Sequence, residues 1–141
     1  MAHRIADPLT AAARCALRAP SPLNTQPWRW QVSDGVLDLY ADPTRQLQVA
    51  DPRGRLLVLS CGSALHHARV ALAAAGHRAE VTRLPYAGPL LARIRIAGPH
   101  DPTPHETALA AAIPRRRTDR RPFSAHPVPP ATLDRLRAAV A

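Results

Sequence analysis

The chain has 141 residues, which suffices for one hydrophobic core and excludes a protein of several complete domains. Hydrophobic residues make up 46% of the sequence, so wholesale disorder is excluded, and two cysteines are too few for a disulfide scaffold. All 19 basic residues are arginine against 10 acidic residues, and the formal charge of +9 favours anionic ligands.

Signals for membrane insertion or secretion are not found in the sequence. No apolar run approaches the roughly 20 residues of a membrane span. Residues 1–10, MAHRIADPLT, lack the apolar core of a signal peptide. We therefore expect a soluble, cytoplasmic protein with no membrane partner.

A helix followed by a proline-rich loop is predicted at the start of the chain. Asp7 is placed to cap a helix over residues 8–18. Its predicted apolar stripe consists of Leu9, Ala12, Ala13, Ala16 and Leu17. Residues 19–27, APSPLNTQP, hold three prolines and four short polar side chains, a composition that predicts a structured loop.

Two strand pairs and a long helix are predicted next. Residues 28–32 and 35–41 form a β-hairpin in which Asp34-Gly35 is the turn signal. Asp51-Pro52 is predicted to open a long, mostly apolar helix that ends at Gly76. The second strand pair is predicted over residues 78–84 and 90–97. These elements predict an α+β fold, a small antiparallel sheet packed on a long central helix.

The last part of the chain is predicted to hold two helices separated by a basic segment. Thr103-Pro104-His105-Glu106 is a capping box that starts a helix running to about Ile113, and Pro114 ends it. The basic segment RRRTDRRPF occupies residues 115–123. A final helix begins near Pro130, with Leu133, Leu136 and Val140 on one side.

The loop and the basic segment are the candidate functional sites. Short polar side chains on a backbone fixed by prolines could contact a planar polar ligand, or could simply make the turns of a connector. Guanidinium groups grip phosphate through paired hydrogen bonds, although charge runs also serve as solvated linkers. Residue chemistry alone leaves both alternatives open for each segment.

Both segments resemble motifs of a known family. The order APSPLNTQPWRW resembles the Pro-Ser-x-x-Asn-x-Gln-Pro-Trp signature of FMN-dependent nitroreductases. The order RRTDRRPF, with PVPPATLDRL after it, resembles the Arg-Arg-Ser-x-Arg segment that begins those proteins. The intervening LDLYADPTRQL and CGSALHHARVALAAAG resemble the fused-repeat NAD(P)H nitroreductases of high-GC Gram-positive bacteria.

The order of the two motifs implies an incomplete pair of repeats. In the family the arginine segment precedes the serine-asparagine loop, whereas here it follows the loop. The resemblance therefore implies that residues 1–113 form a first nitroreductase-like repeat and that residues 114–141 are the truncated start of a second. We expect the missing part of the site to come from a second repeat or from self-association.

The resemblance also implies a cofactor and the residues that bind it. FMN lies between two family subunits, with its phosphate on the arginine segment and its ring and ribityl chain against the loop. The residues that match these motifs are Ser21, Pro22, Asn24, Gln26, Arg116, Arg117, Thr118 and Arg120. Trp28 matches as well, but its expected role is to pack the core.

The function implied by the resemblance is hydride transfer from NAD(P)H through FMN to a nitroaromatic or quinone acceptor. No side chain is assigned as a catalytic acid, base or nucleophile, because the cofactor carries the chemistry. One alternative is an FMN-sequestering protein without turnover. Another, less favoured, is nucleic-acid binding through residues 115–121, since no nucleic-acid-binding signature accompanies the charge.

Two further groups are assigned no function. His66 and His67 are adjacent on a predicted helix and point about 100° apart, so they are expected to be surface or half-buried residues and not metal ligands. Cys61 lacks a nucleophile-elbow pattern and is expected to be a small core residue.

Overall fold

One four-stranded antiparallel sheet forms the centre of the fold. The computed structural model describes residues 7–84 and 88–139, and the elements below are those of this part of the chain. The strands are β1 (Trp28–Ser33), β2 (Val36–Ala41), β3 (His77–Arg83) and β4 (Leu90–Pro99), and they lie in the sheet in the order β1-β2-β4-β3. The helices are α1 (Pro8–Ala16), α2 (Arg55–Ala74), α3 (Pro104–Ala112) and α4 (Pro130–Ala138). The predicted α+β class is confirmed.

The β1–β2 hairpin forms where the sequence predicts it. The strands pair in register from Trp28 opposite Ala41 to Ser33 opposite Val36. At the turn, Asp34 has φ 48° and Gly35 has φ 73°. Two successive left-handed residues make the tight turn whose twist matches that of a hairpin, and an Asp-Gly pair accommodates it well.

The core lies between the sheet and helices α1 and α2. Its buried members are Leu9, Ala12, Ala16, Ala19, Trp28, Leu37, Leu39, Leu57, Cys61, Ala64, Leu65, Ala68, Leu72, Ala92 and Ile94. The predicted place of Leu17 in the stripe is wrong, because α1 ends at Ala16 and Leu17 is 49% exposed. The expected core positions of Trp28 and Cys61 are confirmed.

The long helix α2 begins three residues later than the sequence predicts. Gly54, at φ 66°, is the residue before the helix, and its left-handed backbone separates Asp51-Pro52 from the first turn. Asp51 still caps the helix from a distance, because its buried carboxylate accepts a hydrogen bond from the backbone N–H of Leu57 at 2.9 Å. At the other end Gly76, at φ 82°, terminates the helix as predicted.

The expectation that no segment could span a membrane needs correction for α2. By length and composition alone this 20-residue helix could do so, with a mean hydropathy of 1.3. In the fold, eight of its residues are buried. The helix contacts α1 and the strands β1, β2 and β3, as a core helix does.

The two last helices differ in how they are fixed. The capping box of α3 is confirmed, since Thr103 Oγ1 accepts from the Glu106 N–H at 3.2 Å and the Glu106 carboxylate accepts from the Thr103 N–H at 2.8 Å. Ile113 is buried, whereas every described residue from 114 onward except Thr132 is exposed. Helix α4 starts at Pro130 as predicted, and Val140 lies outside the described residues.

Candidate functional site

The proline-rich loop between α1 and β1 has an unusual backbone. Pro22–Asn24 form a short 3₁₀ turn. Leu23, Asn24 and Gln26 have φ angles of 50°, 55° and 47°. A left-handed conformation costs a residue other than glycine about 1–2 kcal/mol, and such residues cluster at functional sites.

Hydrogen bonds from the loop's own side chains hold this conformation. Ser21 Oγ accepts from the Gln26 N–H at 2.9 Å. The Gln26 side-chain Nε2 donates to the Leu17 carbonyl at 2.8 Å, and Thr25 Oγ1 donates to the Pro22 carbonyl at 3.1 Å. Ser21 and Gln26 therefore order the loop in this structure.

Asn24 differs from its neighbours in the loop. Its side chain is exposed and forms no hydrogen bond to any residue that the structure describes. Its amide oxygen and nitrogen can thus accept from and donate to a ligand.

The arginines of the basic segment differ in whether their guanidinium groups already have hydrogen-bond partners. The Arg121 guanidinium donates to both carboxylate oxygens of Asp119, with Nη2 2.6 Å from Oδ2. These hydrogen bonds hold the pKa of Asp119 below its usual value. Arg117 Nη1 donates to the Pro114 carbonyl at 2.9 Å and to the Arg116 carbonyl at 2.7 Å. The Arg116 guanidinium and the Thr118 hydroxyl form no hydrogen bond within the described part of the chain.

A cavity of about 250 Å³ joins the loop to the basic segment. It is lined by Leu17, Arg18, Ala19, Asn24, Ile113, Pro114, Arg116, Arg117 and Thr118. Four of the predicted site residues, Asn24, Arg116, Arg117 and Thr118, are thus brought together from distant parts of the sequence. The other four, Ser21, Pro22, Gln26 and Arg120, lie outside its lining.

Two parts of this region are not indicated by the sequence motifs. Arg18 lines the cavity, and its place directly before the loop was the signal that could have identified it. An open apolar depression shares Arg116 with the cavity and is lined by Val58 and Leu59, which are 55% and 66% exposed. These two residues could not be singled out because α2 is apolar on several faces.

The remaining histidine and cysteine candidates occupy the positions expected of them. His66 is exposed and His67 is half-buried, with its Nδ1 2.9 Å from the Ser63 carbonyl. Burial raises the pKa of the Cys61 thiol to about 11, and its Sγ contacts the Pro27 carbonyl at 3.3 Å. Such a thiol is a packing group, because the thiolate is the reactive form.

Comparison with known proteins supplies relatives from one organism. No family model matches the chain. It is 51% identical over 126 residues to "Putative NAD(P)H nitroreductase Rv3131" of Mycobacterium tuberculosis, covering 88% of this chain and 36% of the relative. It is 44% identical over 123 residues to "Putative NAD(P)H nitroreductase acg" of the same species, covering 86% and 37%.

A third relative, "Uncharacterized protein Rv3127" of Mycobacterium tuberculosis, is 37% identical over 121 residues, covering 82% of this chain and 35% of the relative. The chain thus spans about a third of the length of these curated relatives. The resemblance predicted from the sequence is confirmed at this level. The chain is homologous to about a third of the length of two Mycobacterium tuberculosis proteins that are named putative NAD(P)H nitroreductase.

Proposed function

We propose that this chain contributes an FMN-binding site to a cytoplasmic, NAD(P)H-dependent oxidoreductase of nitroreductase type and fold. The observation that carries the proposal is the cavity that brings Asn24 together with Arg116, Arg117 and Thr118. The names of two relatives support the same reaction class. The acceptor would be a nitroaromatic or quinone.

The donors around the cavity suit the phosphate of FMN. The Arg116 guanidinium and the Thr118 hydroxyl have no hydrogen-bond partner among the described residues, and Arg18 adds a further positive charge. Guanidinium groups bind phosphate through short, charge-assisted hydrogen bonds, and a hydroxyl adds a neutral donor. No acidic residue lines the cavity, so nothing there neutralises the arginines.

Other residues would order the loop and contact the flavin ring. Ser21 and Gln26 fix the strained loop, which in turn holds Asn24 at the cavity. Val58 and Leu59 offer an apolar wall beside it, suited to a flat ring. FMN, when bound, supplies hydride transfer between NAD(P)H and the acceptor, and the protein's part is to bind and orient it.

The proposal also includes a division of the chain into two repeats. Ile113 is the last buried residue of the described chain, and residues 114–139 contribute little to the core. Residues 1–113 are proposed as the first repeat and the rest as the beginning of a second, with the remaining walls of the site supplied by a second repeat or by a second copy.

The proposal is tested by flavin affinity. An arginine–phosphate contact contributes about 1.5–3 kcal/mol, so Arg117→Ala should weaken FMN binding by roughly 10- to 150-fold. Fluorescence titration with FMN measures this. Thr118→Ala should cost less, because its hydrogen bond is uncharged.

The matched control is the double variant Arg135→Ala/Arg137→Ala, which removes charge from the same exposed region outside the cavity. Equal FMN affinity of wild type and the Arg116→Ala/Arg117→Ala variant would show that the basic segment is only a linker. Bound FMN that NAD(P)H cannot reduce, in a protein that includes the proposed second repeat, would instead indicate a flavin-sequestering function.

A further inference from the structure

A second cavity, of about 320 Å³, lies between α2, β3 and α3. It shares no lining residue with the cavity assigned to FMN phosphate. Its apolar wall consists of Val70, Ala73, Ala79 and Leu109. Its polar lining consists of His66, Arg69, His77, Arg78, His100 and Glu106.

The charges in this second cavity do not balance. The Arg69 guanidinium forms no ion pair or hydrogen bond with any residue of the described chain. Arg78 donates through Nη2 to the Ala97 carbonyl at 3.0 Å, and no carboxylate pairs with it in that part of the chain. The single acidic group in the lining is Glu106, so two guanidinium groups face one carboxylate.

The Glu106 carboxylate is already engaged by other groups. Its Oε2 accepts from the Thr103 N–H at 2.8 Å, from Thr103 Oγ1 at 2.9 Å and from His100 Nε2 at 2.9 Å. Glu106 therefore stabilises the start of α3, and the Arg69 guanidinium and the remaining N–H groups of Arg78 stay available to a ligand.

We propose that this second cavity binds a small organic anion. Arg69 and Arg78 would hold its carboxylate or phosphate group, and Val70 and Leu109 would contact its apolar body. Paired guanidinium groups suit either anion, and an apolar wall with a few convergent polar groups is typical of small-molecule sites. The imidazoles of His66 and His77 supply further donors.

The test is calorimetric titration of the 141-residue chain with phenyl phosphate, benzoate, inorganic phosphate and benzyl alcohol. We expect the two amphipathic anions to bind more tightly than inorganic phosphate, and benzyl alcohol not to bind. The preference between phenyl phosphate and benzoate identifies the anionic group. NMR signals of His66, His77 and His100 should shift during the same titrations.

Two variants and one matched control decide the outcome. Arg69→Gln and Arg78→Gln should each weaken binding of the preferred anion at least about tenfold, because each removes a charge-assisted contact. Arg53→Gln removes the same charge from an exposed position outside the cavity and should change the affinity less than about twofold.

A further variant tests the cavity by its shape alone, without removing an arginine. Ala73→Leu narrows the cavity without altering its charge and should also weaken binding, with an unchanged circular dichroism spectrum. An equal loss in Arg53→Gln, or undiminished binding by the Arg69→Gln/Arg78→Gln variant, would overturn the proposal. Because Arg117 lines the first cavity and not the second, Arg117→Ala should leave this binding unchanged, so the two proposals fail independently.

Discussion

At the scale of single residues, Asp38 is a charged residue buried in the sheet. It lies opposite Arg93 across the β2–β4 pair and is 3% exposed. Two hydrogen bonds of 2.7 Å, from Arg93 Nε and Nη2, hold its carboxylate. Asp38 alternates with Leu37 and Leu39 along β2, but this alternation does not indicate that the carboxylate is buried.

We expect Asp38→Ala to lower the free energy of unfolding by about 3 kcal/mol, because breaking a buried ion pair removes strong contacts without restoring hydration. Urea unfolding at pH 7 measures the change. Asp134→Ala is the control, since the Asp134–Arg137 pair is exposed on α4 and should contribute less than about 1 kcal/mol. Equal effects of the two substitutions would show that the pair in the sheet behaves as a surface contact.

In the candidate site, too, the sequence motif identifies the residues but not the contacts that each side chain makes. The motif identified Ser21, Asn24 and Gln26 together, yet the structure separates them into two that brace the loop and one that lines the cavity. Which side chain forms a hydrogen bond within the protein depends on the backbone φ angles of the loop and on the position of the Leu17 carbonyl. A motif that records only residue order does not contain that geometry.

At the scale of secondary-structure elements, local signals were predicted well. The Asp34-Gly35 turn, the capping box of α3 and the terminal Gly76 each depend on a few adjacent residues, so the sequence displays them directly. The start of α2 was missed because its capping contact spans from Asp51 to Leu57 around a left-handed Gly54. The exposed face of α2 depends on tertiary packing, which residue order does not give.

Helix α3 provides a pH-dependent prediction. Hydrogen bonds, first from the Thr103 N–H and then from the His100 side chain, lower the pKa of Glu106 from 4.5 to about 2. A depressed pKa stabilises the fold above the unfolded-state value, and this stabilisation is lost as the pH falls toward the folded-state value.

We therefore expect Glu106→Gln to lower the urea midpoint at pH 7, with a difference from wild type that shrinks between pH 4.5 and pH 2. Glutamine keeps the shape of the capping box, so the comparison isolates the charge. Glu80→Gln, on an exposed position of β3, controls for net charge. A difference that stays constant down to pH 2.5 would contradict the assignment.

At the scale of the whole molecule, the region after Ile113 is attached to the rest by few contacts. The large apolar side chains of this region, Phe123, Val128, Leu133 and Leu136, are all exposed. Segments with few buried contacts open with little free energy. We expect limited trypsin digestion to cut first within residues 115–121, well before Arg93 and Arg95 in β4.

Mass spectrometry of the fragments identifies the order of cleavage. Equal protection of residues 115–121 and of β4 in a monomeric chain would show that the segment is anchored after all. If protection appears only at high protein concentration, a second copy supplies the contacts, which would agree with the proposed self-association.

The last prediction concerns turnover by the 141-residue chain alone. The first cavity is the proposed site of the FMN phosphate, but the neighbouring apolar depression, formed by Val58 and Leu59, is open to solvent. Hydride transfer requires the nicotinamide to lie against the flavin ring in a near-attack geometry, and such positioning lowers barriers by up to roughly 7–11 kcal/mol in well-oriented systems. A ring bound on one open face loses much of that advantage. We therefore expect weak FMN binding and negligible turnover, measured as anaerobic bleaching of flavin absorbance by NAD(P)H together with the mass in solution. Rapid bleaching by a monomer with one FMN per chain would show that the described residues already form a working site, and bleaching by a dimer would show that a second copy closes it.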